Sequence, residues 1–186
     1  MKTILLLLML FALPSFSLQD SPCGGNERWD VKTLTDAGAS KINFTPDTIA
    51  IDSLRKIMPG QKIGNTLPRF GIEFKTYVVK CNIREYRVED DGDYHLVLVS
   101  LTDTTKTMIG EIPNSFCSSV FASPYASKFA ETKTYFEQNI ILKRNKTKRG
   151  VYLIYGIFFY DKIHGQLGVA PNGCELHPIL SIKKIS

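Results

Sequence analysis

Recognisable catalytic motifs are absent from this chain. It contains neither the G-x-S-x-G sequence of a hydrolase nucleophile nor a glycine-rich loop of the kind that holds phosphates. Its four cysteines include no C-x-x-C pair, which excludes zinc-ribbon and thioredoxin-type motifs. Its longest apolar run is far shorter than the roughly 20 residues that a membrane-spanning helix needs. No activity therefore follows from a simple motif.

That apolar run, residues 4–13, follows Lys2 and precedes Ser15 and Ser17. A short positive start, an apolar stretch and small residues at its end are typical of a secretory signal. We expect residues 1–17 to be a signal peptide, cleaved after Ser17 or alternatively after Ser15. The sequence thus predicts a secreted or periplasmic protein, with no transmembrane segment once the signal is removed.

The net charge is only mildly positive. It is +5 for the full chain, and most of the excess lies in residues 143–149, a run of lysine and arginine interrupted by Asn145 and Thr147. Such a run is usually a solvated turn and less often a binding surface. Nucleic acid is an open partner class, supported only by this charge, and the ligand is otherwise unknown.

Four cysteines in an exported protein favour disulfide bonds, and four cysteines allow three pairings. Cys117 and Cys174 each lie at the edge of a predicted strand, where a bridge is geometrically easy. We expect these two to pair.

From residue 76 onward the pattern predicts β-structure. Runs rich in β-branched and aromatic residues, separated by turn residues, predict five strands at 76–88, 94–101, 108–112, 151–161 and 175–182. The Asp-Gly turn within 89–93 makes a hairpin of the first two. Ser123 followed by Pro124 predicts the start of a helix, which apolar residues at helical spacing continue to Ile140.

Three strands, a helix and two strands is the order of an OB-type barrel. We therefore predict a mainly β fold: an OB-like five-stranded barrel over 76–186, with one helix between strands three and four. Residues 18–75 have weaker patterns and are expected to form an irregular N-terminal extension that packs on the barrel. OB folds bind ligands on the face of strands two and three and through the loops 1–2 and 4–5, here residues 89–93 and 164–173.

The first of these loops leads into three polar residues that alternate onto one side of the strand entry: Asp91, Asp93 and His95. Two carboxylates and an imidazole on one face are suited to holding a divalent cation or to acid–base chemistry. The alternative is that Asp-Gly is only the ordinary residue pair of a hairpin turn.

The second loop leads into Glu175 and His177, which share one face of the last strand. They either form part of a site or hold the preceding loop through hydrogen bonds. The resulting candidates are His95 and His177 as general bases, and Asp91, Asp93 and Glu175 as metal ligands. The candidate ligand-binding residues are Asp91, Asp93, Glu111, His164, Asn172 and Glu175. Lys32 and Asp36 would join them only if the N-terminal segment packs across the barrel mouth.

Several segments together resemble a family of small exported bacterial proteins of uncharacterised activity. They are residues 28–36, 91–98, 156–161, 164–166 and 175–180. This resemblance implies a common architecture and no particular activity. A looser resemblance, to OB barrels of the staphylococcal-nuclease group, rests on the segments 91–93 and 111–113. His95 departs from that group's pattern, and its pair of arginines has no match in this chain.

The leading hypothesis from the sequence is an exported OB-like domain that binds a ligand in a polar pocket without turning it over. A metal-dependent phosphodiesterase, using a divalent cation as cofactor, is the alternative. A structural module of a surface assembly is the second alternative, and it predicts histidines that are buried and dispersed.

Overall fold

The computed structural model describes residues 23–25 and 27–186, so the predicted signal peptide lies outside the described residues. The strands are β1 Asn43–Thr48, β2 Lys75–Val88, β3 Tyr94–Val99, β4 Thr107–Ile112, β5 Ile141–Lys143, β6 Lys146–Thr147, β7 Tyr152–Tyr160 and β8 Cys174–Lys184. The helices are α1 Trp29–Lys32, α2 Ile51–Leu54, α3 Ser118–Phe121 and α4 Ala126–Asn139, with 3-10 turns at Ala39–Lys41 and Gly71–Phe74.

Five of these strands close into a mixed barrel. β2, β3 and β4 form an antiparallel meander, β4 pairs in parallel with β8, and β8 pairs antiparallel with β7. The long strand β2 closes the barrel because its first half, residues 76–81, pairs with β7 while residues 82–88 pair with β3. Helix α4 lies between β4 and β7 in the chain. The predicted mainly β class and five-stranded barrel are confirmed, and the topology is loosely OB-like.

The barrel core follows from strand alternation. Leu96 and Leu98 on β3, and Met108 and Ile112 on β4, belong to the interior cluster, while Val97, Ile109 and Glu111 alternate onto the other side of the sheet. Helix α4 covers part of that other side, where the Thr132 hydroxyl donates a hydrogen bond to the Leu180 carbonyl at 2.7 Å. The helix starts later than predicted: Ser123 Oγ accepts the Tyr125 N–H at 3.2 Å, and α4 begins at Ala126.

A bulge in β8 sets the orientation of the candidate residues on that strand. Leu176 pairs with Phe158 and Ile179 pairs with Gly156, so two residues of β8 oppose one residue of β7. Leu176 and Ile179 therefore both face the barrel core although they are three positions apart. Pro178, which has no N–H to donate, falls within this bulge.

The segment before the barrel is fastened to it at several points. β1 pairs in parallel with β2. The Arg28 guanidinium forms a buried ion pair with Glu73 at 2.5 Å and donates to the Tyr160 carbonyl at 2.9 Å. It also lies 4.7 Å from the centre of the Phe159 ring. Helix α1 is thereby held against the end of β7. Among the described residues, no helix is long and apolar enough to span a membrane.

The expected Cys117–Cys174 disulfide is wrong. Cys117 is bonded to Cys23, with their Cα atoms 5.3 Å apart, while Cys174 and Cys81 are free and buried. Cys174 faces the barrel interior, whereas Cys117 belongs to the separate cluster between α4 and the N-terminal segment. The two thiols are thus on opposite sides of the sheet, which two strand-edge positions in the sequence do not reveal.

Candidate functional site

A cleft with a volume of about 460 Å³ opens at one end of the barrel. Its walls come from the β2–β3 loop, from the first part of the β7–β8 loop and from the N-terminal segment. Its acidic lining residues are Glu27, Glu89, Asp90, Asp91, Glu111 and Asp161. Its basic ones are Lys32 and Arg87, and His95 and His164 also line it. The two loops chosen from the OB pattern do share one pocket.

Glu111 on β4 lies between two imidazoles at the floor of this cleft. Its Oε1 is 3.0 Å from Nδ1 of His95, and its Oε2 is 2.8 Å from Nδ1 of His177. His95 is the direct cross-strand partner of Glu111 in the β3–β4 ladder. Burial alone would raise the pKa of Glu111, but the neighbouring His177, His95 and Lys32 hold it well below its usual range.

Both ring nitrogens of His95 face acceptors. Nε2 lies 2.8 Å from the carbonyl oxygen of Leu167, which can only accept, so this nitrogen carries a proton. Nδ1 faces Glu111 and, at 3.4 Å, Glu89. Burial opposes the charged form, yet these acceptors together raise the pKa of His95 above its ordinary value. The geometry therefore favours an imidazolium that donates on both sides.

Asp93, at the end of the β2–β3 loop, is fully buried. One carboxylate oxygen accepts the Asn114 N–H at 2.7 Å, and the other lies 3.6 Å from Nε2 of His177 without a hydrogen bond. Burial raises the pKa of Asp93 well above its usual range, and the charges of Asp91 and Glu111 add to the effect.

His177 and Glu175 lie on β8, on the face opposite the barrel core. The His177 ring packs against Phe159 with 5.6 Å between ring centres. Glu175 Oε2 lies 3.9 Å from Nδ1 of His177, but neither oxygen of this buried carboxyl has a hydrogen-bond partner. Burial, together with the charges of Asp161 and Glu111, raises the pKa of Glu175 well above its usual range.

Lys32 on α1 places a buried positive charge among the carboxylates of Glu111, Asp161, Glu175 and Asp93. Its Nζ lies 3.9 Å from Oδ1 of Asp161 and 5.6 Å from the centre of the Phe159 ring. Burial would lower the pKa of this ammonium, but the surrounding carboxylates, Glu111 foremost, outweigh burial and raise it. Lys32 is therefore charged at neutral pH and lies close to these carboxylates.

The structure brings some sequence candidates together and separates others. The buried members are Asp93, His95, Glu111, Glu175 and His177, which we call the acid–histidine cluster. Asp91 and His164 lie in the cleft wall above it. Asn172 and Asp36 are elsewhere: Asn172 donates to the Leu54 and Ile57 carbonyls, and Asp36 pairs with Arg69 at 2.9 Å.

Sequence reasoning left Glu27 and Glu89 unassigned, although both line the cleft. Glu89 belongs to the loop 89–93, which the OB pattern already predicts to bind a ligand, so its position in that loop could have identified it. Glu27 reaches the cleft because the chain around Arg28 is fixed by contacts with residues far away in sequence, which no local pattern shows.

Among the residues that the structure describes, two groups of side chains could each hold a metal ion. In the first, Asp93, Glu111 and His177 offer ligand atoms that all lie within 4.8 Å of one another, and all three residues are buried. In the second, Glu27, Asp161 and His164 do the same at the cleft rim, where His164 is exposed.

Replacing Gly168 with alanine should lower the free energy of unfolding by about 2–3 kcal/mol, because a residue with a Cβ is strained at its φ of +85° and the Cβ would approach Val97 to 2.8 Å. Gly168 follows Leu167, whose carbonyl holds His95, so the cleft should also be disturbed.

Chemical denaturation measures this effect, with Gly165→Ala as the matched control. Gly165 has nearly the same φ, +89°, but nothing lies within 4 Å of its Cβ position. The free energy of unfolding of Gly165→Ala should therefore fall by only about 1 kcal/mol. Equal losses in the two variants would contradict the packing of Gly168 on Val97.

No family model, no curated protein and no solved structure matches this chain. The resemblance to a family of exported bacterial proteins has no support from these comparisons, and the likeness to OB barrels rests on the closed five-stranded barrel alone.

Proposed function

We propose that this protein is a binding domain whose acidic cleft takes up a small, positively charged organic ligand. The observation that carries the proposal is the negative charge of the cleft lining. Six acidic and two basic side chains line it, a formal charge of −4 with neutral histidines, although the whole chain carries +5. A cleft lined by one sign of charge attracts ligands of the opposite sign.

The cleft's volume of about 460 Å³ also fits a small molecule, since ligand pockets typically measure about 300–1,000 Å³. A protonated His95 reduces the negative charge of the lining only to −3. Phosphate groups would be repelled by this lining, which argues against direct binding of nucleic acid in the cleft. The basic residues near Lys143 are on the β5–β6 hairpin and do not line it.

The arrangement of the histidines disfavours a purely structural role. A structural module predicts histidines that are buried and dispersed. His95 and His177 are buried, but both contact Glu111, and His164 lines the cleft beside them. Perturbed titratable groups that converge beside a cleft are typical of functional sites.

The proposal is tested by NMR titration of the isotopically labelled protein with agmatine and spermidine, using citrate and glucose 6-phosphate as anionic controls. We expect the cations to shift the amide resonances of residues 89–93 and 164–167. Glu27→Gln combined with Asp91→Asn should weaken binding about tenfold or more, because a charge-assisted hydrogen bond contributes about 1.5–3 kcal/mol.

The matched control is Glu131→Gln, which removes one negative charge from an exposed position on α4 outside the cleft. It should leave the affinity unchanged. Shifts caused only by the anions, or cation binding that the cleft variant does not weaken, would overturn the proposal.

A metal-dependent phosphodiesterase is the second candidate, because Asp93, Glu111 and His177 converge beside the cleft. Against it, both nitrogens of His95 already face acceptors, so this residue is poorly placed to accept a proton as a general base. Hydrolysis of bis(p-nitrophenyl) phosphate with added divalent cations, lost in both His95→Ala and His177→Ala, would favour the enzyme over the binding domain.

A further inference from the structure

We infer that Asp93, Glu111 and His177 form a binding site for one divalent transition-metal ion, with zinc as the best match, beneath the floor of the acidic cleft. The inference goes beyond the cleft ligand, because the site would bind its ion whether or not an organic cation enters the cleft. The three residues arrive from different elements: the β2–β3 loop, β4 and β8.

Unsatisfied side-chain atoms are the first argument. Asp93 Oδ2 and both ring nitrogens of His177 are buried without a hydrogen-bond partner, and so are both oxygens of the neighbouring Glu175. Glu111 Oε2 is close to His177, but the contact lacks hydrogen-bond geometry. Buried polar atoms normally have partners, and a cation bound between Asp93 Oδ2 and Nε2 of His177 would give both of these atoms one.

Distances are the second argument. Oδ2 of Asp93 and Nε2 of His177 are 3.6 Å apart, and two ligands at bond lengths of about 2.0–2.2 Å around a tetrahedral zinc ion lie about 3.3–3.6 Å from each other. The whole group falls within 4.8 Å, so small side-chain rotations would complete the ligand set. Three protein ligands leave a fourth position for water.

Charge balance is the third argument. The carboxylates in and around the site are Asp93, Glu111, Asp161 and Glu175. Among the described residues buried at the site, Lys32 and a protonated His95 oppose them, which leaves two negative charges when all four are ionised. A divalent cation would neutralise this excess.

The donor set selects the ion. An imidazole nitrogen with carboxylate oxygens suits zinc and its first-row neighbours, whereas calcium and magnesium prefer oxygen ligands alone. The ligand set also differs from the one read from the sequence. Asp91 accepts the Asp93 N–H at 3.1 Å and lies in the cleft wall, while Glu175 neighbours the proposed ligands.

The test is isothermal titration of the full, chelator-treated protein with zinc, and separately with calcium and magnesium, at neutral pH. We expect one equivalent of zinc to bind and calcium and magnesium to bind far more weakly. Asp93→Asn and His177→Gln should each weaken zinc binding by about 100-fold or more, since even indirect supports of a metal site contribute about 10–100-fold.

The rim group supplies the matched control. His164→Gln removes the only imidazole of the Glu27, Asp161 and His164 group and should leave zinc binding unchanged. Binding that is lost in His164→Gln but kept in His177→Gln would overturn the inference, as would the absence of zinc binding by the wild-type protein.

If Asp93→Asn or His177→Gln fails to fold, the metal site can still be tested in the wild-type protein. Cobalt can replace zinc in the wild-type protein, and ligation by His177 should shift the ring resonances of that histidine far more than those of His164. Glu111 belongs both to the cleft lining and to the proposed metal ligands, so the agmatine titration uses the metal-free protein. Zinc binding by a protein that does not bind agmatine would keep the metal site and reject the cleft ligand, and the reverse result would do the opposite.

Discussion

Replacing Glu73 with glutamine should lower the free energy of unfolding by about 3–5 kcal/mol, because it leaves a buried guanidinium without its counter-charge. The carboxylate of Glu73 accepts from Nη1 and Nη2 of Arg28 at 2.8 and 2.5 Å, and neither side chain is exposed to solvent by more than 1%. The same carboxylate also accepts the backbone N–H groups of Tyr160 and Phe70. Glutamine has nearly the same shape, so the loss reports on charge and hydrogen bonding.

Urea denaturation measures the loss, with Glu131→Gln as the matched control. Glu131 pairs with Lys128 on the exposed surface of α4, and such a pair contributes less than about 1 kcal/mol. Because Arg28 precedes α1, the Glu73 variant should also loosen Lys32 over the cleft. Similar stabilities for the two variants would show that the Arg28–Glu73 pair does not hold the N-terminal segment.

The barrel could be predicted from the sequence because its signals are local. Period-two alternation, the Asp-Gly turn and the helix after Pro124 each lie within a few neighbouring residues. The Arg28–Glu73 pair is different: its members are 45 residues apart, and neither shows from local sequence that it will be buried. The contacts that fasten the N-terminal segment across the cleft were therefore visible only in the structure.

In the acid–histidine cluster, too, some features follow from local sequence and others depend on long-range contacts. Asp93 and His95 follow from one turn and one strand, and Glu175 and His177 from another strand. What joins the two pairs is the parallel register of β4 and β8, in which Ile109 pairs with Glu175 and Gly110 with Leu176. Continuing this register places Glu111 beside His177. Such a long-range register depends on the barrel's closure, and no short stretch of sequence specifies it.

Replacing Cys23 and Cys117 together with serine should lower the free energy of unfolding by about 3–5 kcal/mol, because the disulfide closes a loop of 94 residues and thereby restricts the unfolded chain. The change should also weaken agmatine binding in the cleft. Gly24 and Gly25 line the cleft directly after Cys23, and without the bond this part of the wall loses its covalent attachment near α3.

Denaturation of the wild-type protein with and without reductant provides the control for this double variant. Reduced wild-type protein should unfold at the same denaturant concentration as the double serine variant, since the buried thiols of Cys81 and Cys174 form no second bond. The variant Cys174→Ala distinguishes a Cys23–Cys117 bond from a Cys117–Cys174 bond. If Cys117 were bonded to Cys174, this variant would make the stability of the protein insensitive to reductant. If Cys117 is bonded to Cys23, Cys174→Ala should keep the full response to reductant, because Cys174 then only fills space in the barrel interior.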